Sequence, residues 1–257
     1  MKLLPEVHLV ASGSLGYGIT DPYDCNCYLW EYEPGQFALF DTGAGRSMNP
    51  MLEQLLQVAG KLTNINYIFL THHHADHMGG SAVLRELTGA TVCASEHSGA
   101  LIEAGDENAI GLAYSRSKGG YPTDYRIRGC PVDLVLSMSA RMPLGEAAYL
   151  DVVSTPGHCK GGVTYLIPTG SLGKKAAVTG DIVFPDGRIM LLNWPDCSLT
   201  EYALTIAKLK DLSIDILLPG HDQAIIGGAS EAIEMAHNYF DRMLVPPSIY
   251  HVNVQRG

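Results

Sequence analysis

The stretch THHHADHMGG, residues 71–80, places four histidines and one aspartate within six consecutive positions, 72 to 77. Imidazole nitrogen and carboxylate oxygen are the donors that borderline divalent cations such as zinc prefer. No packing pattern asks for three adjacent histidines. The run INYIFLT, residues 65–71, reads as a continuous apolar strand buried on both faces. If the chain leaves it extended, alternate side chains point the same way, so His72 and His74 face one side and His73 the other. Asp76 and His77 follow around a turn, where they reach a second ion beside the first.

Three more places share this grammar of strand end, glycine or proline turn, and metal-capable side chain. STPGHCKGG (154–162) presents His158, VTGD (178–181) presents Asp181, and LLPGHD (217–222) presents His221. Loops at strand ends are where a rigid sheet offers side chains to a common point. His158 and His221 can complete the two ligand sets, and Asp181 can bridge them. His8, His97, His237 and His251 stand alone in the sequence and read as ordinary surface or packed histidines.

The elements that must hold these loops alternate between strand and helix. HLVAS (8–12), CYLWEY (27–32) and FALFD (37–41) read as strands between Gly/Pro/Asp turns. NPMLEQLLQVAG (49–60) has helical spacing and ends at a glycine. Helices are expected at 79–90, 96–105, 199–212 and 229–244, and strands at 91–95, 148–155, 162–168, 175–180 and 214–220. SRSKGGYPTDYRIRG (115–129) reads as a long loop with two tyrosines and four basic residues, Arg116, Lys118, Arg126 and Arg128. No repeat or linker divides the chain. Residues 1–257 read as one domain of two β layers and outer helices, with 96–146 as a lid or insertion.

Composition bounds the function. Hydrophobic residues are 46% and charged residues 17% of 257, a globular balance. A net charge of −10 suits neither nucleic-acid backbones nor anionic membranes. There is no apolar run of about 18 residues to span a bilayer. Pro5 and Glu6 break the N-terminal apolar stretch that a signal peptide needs, so a cytoplasmic location is expected. Six cysteines without a CxxC pair read as free thiols in a reducing compartment, with Cys159 of interest because it follows His158. The expected partner is a small-molecule substrate, and a homo-oligomer is compatible with the sequence.

FDTG at 40–43, H-x-H-x-D-H at 72–77, PGH at 156–158, GD at 180–181 and PGH at 219–221 together resemble the five-motif signature of the metallo-β-lactamase-fold superfamily. The resemblance implies an α+β fold, a four-layer αβ/βα sandwich with two divalent metal ions at its edge, zinc before iron or manganese. It implies that His72, His74 and His158 bind one ion, that Asp76, His77 and His221 bind the other, and that Asp181 bridges. Asp41 would support the metal-binding loop by hydrogen bonds without ligating. It further implies a hydrolase in which a hydroxide bridging the ions attacks the substrate, one ion stabilises the oxyanion, and Asp76 orients the nucleophile or relays a proton.

The fold does not fix the substrate. A bridging Asp181 resembles the thioesterase and lactonase branches, whereas β-lactamases of this fold lack that bridge. The 36 residues after His221 hold one main helix, not the helical substrate domain of glyoxalase II, and no tyrosine closely follows Asp181 as in homoserine-lactone lactonases. Cleavage of a lactone or thioester is the leading expectation. A small phosphodiester hydrolase and an iron-dependent, persulfide dioxygenase-like oxidoreductase are the alternatives. Phe184, Met190, Leu191, Leu192 and Trp194 offer either an apolar substrate wall or core packing, and the basic residues of 115–129 either an anion grip or a solvated lid.

Overall fold

The computed structural model describes residues 1–170 and 172–249; His251 lies outside them. The first half forms a seven-stranded sheet in sequential order: β1 (Lys2–Leu4), β2 (Val7–Ala11), β3 (Cys27–Glu33), β4 (Gln36–Phe40), β5 (Ile65–Phe69), β6 (Thr91–Ala94) and β7 (Leu134–Val135). β1 to β4 run antiparallel, with short turns between β1 and β2 and between β3 and β4 and a longer loop, residues 12–26, between β2 and β3. β4, β5, β6 and β7 are parallel, because helices carry the chain back between them. Those helices are α1 (Met48–Ala59), the single turn α2 (Ala75–Met78), α3 (Ser81–Thr88), α4 (Glu96–Ala104) and α5 (Leu112–Ser117).

The second sheet contains β8 (Ala140–Leu144), β9 (Ala148–Ser154), β10 (Val163–Thr169), β11 (Lys174–Gly180) and β12 (Ile216–Pro219), in the order β12-β11-β10-β9-β8. α6 (Leu199–Lys210) crosses between β11 and the parallel β12, and α7 (Ala229–Asp241) follows.

Strand alternation sorts side chains between faces, and three apolar layers result. Tyr28, Phe40 and Phe69 of the first sheet meet Val152, Tyr165 and Val178 of the second in the middle layer. Leu29, Leu39 and Ile68 point outward onto Met51 and Leu55 of α1 and Leu84 of α3. Leu166, Ala177 and Leu217 point the other way onto Ile206 and Leu209 of α6 and Ile233 of α7. The arrangement is the expected αβ/βα sandwich. No helix among the described residues is long and apolar enough to cross a membrane.

The expected strands and helices are present with boundaries moved by one to three residues. β5 is less uniformly buried than its sequence suggests: Asn66 and Tyr67 are half-buried, and Asn66 accepts a hydrogen bond from the Tyr32 hydroxyl. The long loop begins inside α5, and β1, β7 and β8 are additional edge strands. The six cysteines are free thiols, five of them buried.

Candidate metal centre

Every motif side chain sits just beyond a strand end, at one edge of the sandwich. Asp41 follows β4, residues 71–77 follow β5, His158 lies in the turn from β9 to β10, Asp181 follows β11, and His221 follows β12. The two sheets are stitched together there. Val163 N–H donates to Thr71 O (2.9 Å), Tyr165 Oη to Leu70 O (2.7 Å), and Asn26 N–H to Gly220 O (2.6 Å). Gly220 is required by space: a Cβ would fall 2.4 Å from Asp181 Oδ1 and 2.7 Å from the His77 ring.

The chain leaves β5 at Phe69, two residues before the strand end expected from sequence, bends at Thr71, and has extended backbone angles at His74. His72 and His74 do converge, with His72 Nε2 3.1 Å from His74 Nδ1. His158 Nε2 lies 2.8 Å from the same His74 nitrogen. A helical turn then starts: His77 N–H and Met78 N–H both donate to His74 O (3.0 Å each). That turn carries Asp76 and His77 round to a second cluster. Asp76 Oδ2 is 3.1 Å from His221 Nε2 and 3.7 Å from His77 Nε2. Asp181 stands between the clusters, with Oδ1 3.4 Å from His77 Nε2 and Oδ2 3.5 Å from both His158 Nε2 and His221 Nε2.

The hydrogen-bond network fixes where the protons are, and the result suits cations. Thr71 Oγ1 donates to Asp41 Oδ2 (2.8 Å), so His72 Nδ1 (3.0 Å) must donate to Thr71 Oγ1 and leave a lone pair on Nε2. His158 Nδ1 donates to Met190 O (2.9 Å), which again leaves Nε2 as a lone pair. His77 Nδ1 donates to Asp41 Oδ2 (2.8 Å), which turns Nε2 toward Asp76 and Asp181. Lone pairs so gathered repel one another unless something positive lies among them. His77 Nε2 and Asp181 Oδ1 are buried and make no hydrogen bond among the described residues. Zinc–nitrogen bonds of about 2.0–2.1 Å set tetrahedral donors about 3.3 Å apart, close to the spacing here. Two donor sets that could each hold a metal ion thus lie side by side: His72, His74 and His158, and Asp76, His77 and His221.

Electrostatics divides the two sets. Burial and neighbouring imidazoles hold His72 and His74 well below the ordinary histidine range. Burial also lowers His158, against the pull of Asp181. Across the site, burial opposes charge on His221, but Asp181 and Asp76 outweigh it and raise the group to about 9. Burial likewise opposes ionisation of Asp181, and His221 and His77 overcome it, leaving the carboxyl well below its usual range.

Three further side chains at the site have partners that the sequence does not show. Tyr121, from the 115–129 loop, packs between Tyr23 and Tyr125, with ring centroids at 5.4 and 5.2 Å, and burial and the nearby Asp76 carboxylate push its hydroxyl up. Trp194 sets its ring edge-on to His74 at 4.3 Å. His73 faces away from the donors, as expected, but it is fully packed: Nδ1 donates to Ser98 Oγ (3.2 Å) and Nε2 lies 3.5 Å from Asp196. His97, apparently isolated in sequence, has its ring 5.8 Å from that of His73.

The other open readings resolve locally. Phe184 and Met190 are core, whereas Trp194 lines a cavity. The loop is not a solvated lid, because Tyr125 is buried and its hydroxyl donates to Ala44 O (2.6 Å). Its cations have local partners: Arg116 with Glu107 (2.7 Å), Arg128 with Glu86 (2.9 Å), Arg126 with the carbonyls of Thr123 and Tyr125, and Lys118 over the Tyr114 ring (5.6 Å). Cys159 is buried, which pushes its thiol up and away from thiolate chemistry.

The profile of the metallo-β-lactamase superfamily matches residues 20–221, most of the chain. The chain belongs to the metallo-β-lactamase superfamily. Among curated proteins, it is similar to a hydroxyacylglutathione hydrolase of Brucella ovis, 28% identical over 130 residues, which are 48% of this chain and 35% of that protein. The chain thus spans about a third of the length of that relative. Among solved structures it resembles a subclass B3 metallo-β-lactamase of Bradyrhizobium japonicum, with TM-score 0.68, 21% identity, and 95% and 91% of the two chains covered. A metallo-β-lactamase of Cronobacter sakazakii gives TM-score 0.66 at 21% identity, covering 86% and 77%. At such identities the superfamily fold is what these structures share with this chain.

Proposed function

We propose that the protein is a metal-dependent hydrolase that cleaves a carboxylic ester-like bond, a thioester or lactone, at a dinuclear centre loaded with zinc. His72, His74 and His158 hold one ion, Asp76, His77 and His221 the other, and Asp181 bridges them. The observation that carries this reading is Asp181, whose two oxygens lie within 3.4–3.5 Å of histidines from both donor sets. The likeness to a hydroxyacylglutathione hydrolase favours the thioester within this class.

Divalent ions held by these residues would supply a water activated near neutral pH and would polarise the substrate carbonyl. The protein's own groups do the rest. The Asp76 side chain, 15% exposed, is the most open of the ligand carboxylates, placed to take a proton from the nucleophile and return it to the leaving group. Tyr121, beside Asp76 and held neutral by burial, offers its O–H to the oxygen that gains charge. Trp194 and Tyr125 exclude water from the two flanks.

The test is metal analysis of freshly purified protein, followed by a panel of thioesters, lactones, oxoesters and phosphodiesters on the same sample. About two zinc ions per chain with thioester or lactone turnover is the expected result. Iron with oxygen consumption, or turnover confined to phosphodiesters, would overturn it.

Four substitutions probe the assignments. His72→Ala and His74→Ala should each deplete one ion, whereas His73→Ala should keep both; loss of metal from His73→Ala would mean the ligand register is wrong. Tyr121→Phe should keep both ions and lower kcat by about 10–100-fold with KM little changed, as expected when one oxyanion donor is lost. An unchanged kcat would remove Tyr121 from the chemistry.

A further inference from the structure

A cavity of about 610 Å³ opens beside the first donor set, within the roughly 300–1,000 Å³ typical of small-molecule sites. Its walls come from segments far apart in sequence. Leu101 lies in α4, Ile110 just before α5, Tyr114 within α5, and Trp194 closes the side nearest the metal loop. Trp194 is both cavity wall and edge-on neighbour of His74, so whatever fills the cavity lies next to the reacting centre. Gly111 keeps that wall in place: it has φ +77°, and a Cβ there would lie 3.0 Å from the Trp194 ring.

The polar groups of the cavity are not equivalent. Asp196 faces His73, which is anchored through Ser98 to Gly161 O, so this carboxylate is occupied. Lys160 is exposed at the rim and makes no ion pair among the described residues. The cavity therefore offers an apolar, aromatic-walled interior and one available positive charge.

We propose that this cavity binds the acyl part of the substrate, and that the preferred substrates are esters or thioesters of a medium-length apolar acyl group ending in a carboxylate, held by Lys160. The proposal rests on the hydrolase reading above and adds the substrate class. His73 thereby gains a role without ligating: it ties the metal loop to the segment bearing Asp196 and Trp194, and so positions the cavity wall against the site.

The test has two arms. In the first, zinc-loaded protein is given N-acetylcysteamine thioesters carrying acetyl, octanoyl or suberoyl groups, the last ending in a free carboxylate. KM should fall at least about tenfold from acetyl to octanoyl, because methylenes leave water. It should fall about fivefold more for suberoyl, the upper range for an exposed ion pair. Lys160→Met should erase the suberoyl advantage, and Trp194→Ala the octanoyl advantage. In the second arm, free suberate and octanoate are titrated by tryptophan fluorescence. The chain has two tryptophans, and Trp30 is buried between the sheets, so the response reports Trp194. Saturable quenching, tighter for suberate and weakened by Lys160→Met, is expected. If acetyl, octanoyl and suberoyl thioesters are turned over alike, or if neither acid quenches, the cavity assignment is overturned. If no thioester is turned over but suberate binds with the expected Lys160 dependence, the hydrolase reading fails and the binding site stands.

Discussion

Asp181→Asn is expected to lower kcat/KM by at least about a hundredfold and to weaken retention of the second ion. Losing even an outer support of a metal ligand costs about 10–100-fold. Asp181 is more central than that, since its oxygens face His77, His158 and His221 at once. The amide keeps the volume, so the change isolates charge from packing. Retention of two tightly bound ions and of wild-type turnover would rule out Asp181 as the bridge.

The same variant has a signature in metal-free protein. His221 is raised to about 9, with Asp181 as the first of the groups that raise it. A group whose folded pKa lies above its unfolded value stabilises the fold fully below the unfolded value, about 6.5 for histidine, and loses that contribution as pH rises through the folded value. Chelator-treated wild-type protein should therefore lose melting temperature between about pH 6.5 and pH 9. Asp181 itself is depressed, so its contribution is present above the ordinary carboxylate range and is lost in acid. With asparagine at 181 the alkaline fall should flatten. Thermal melts of both chelated proteins at several pH values check this, and parallel slopes would refute the coupling. Added zinc should suppress the slope in wild type, because the metal displaces the same proton.

The residues that converge were legible because strand-end alternation is local. His72 and His74 are two apart just beyond a strand end, and three more strand ends carry the remaining donors. What was not legible came from long-range packing. His73 looks like a spacer in sequence; its partners Ser98 and Asp196 lie 25 and 123 residues away, and only the fold brings them in. Tyr121 gave a faint signal, a tyrosine in a basic loop, but its approach to Asp76 depends on Tyr125 being pinned to Ala44 O. Arg126 and Arg128 were plausible anion ligands by type, and local carbonyls and Glu86 claim them instead. Of the edge strands, β7 has two residues, both exposed, and in β8 the alternating Ala140, Met142 and Leu144 are separated by Arg141 and by Pro143, a residue that argues against a central strand.

Asp41 provides the sharpest separation between holding the fold and holding the metal. It sits at φ +58°, a conformation that Asp and Asn tolerate better than other residues. Its Oδ1 accepts from Thr71 N–H (2.7 Å), and its Oδ2 accepts from Thr71 Oγ1 and His77 Nδ1 (2.8 Å each). Asp41→Ala removes all three bonds and places alanine in a left-handed conformation, so a loss of roughly 3–5 kcal/mol of stability is expected. Asp41→Asn keeps the backbone preference and an acceptor for Thr71 N–H. Its amide, however, presents a donor where Oδ2 stood. His77 Nδ1 must then accept, which moves the imidazole proton to Nε2, the atom facing Asp76 and Asp181. A protonated Nε2 cannot ligate, so the asparagine variant should fold with a melting temperature within a few degrees of wild type and still bind the second ion about 10–100-fold more weakly. Zinc titration against a competing chelator measures that affinity, and nitrogen NMR of His77 reads the tautomer. A stable Asp41→Asn protein with wild-type affinity at both sites would show that Asp41 supports only the loop. Weakened metal binding without the tautomer change would point to loop displacement rather than proton placement.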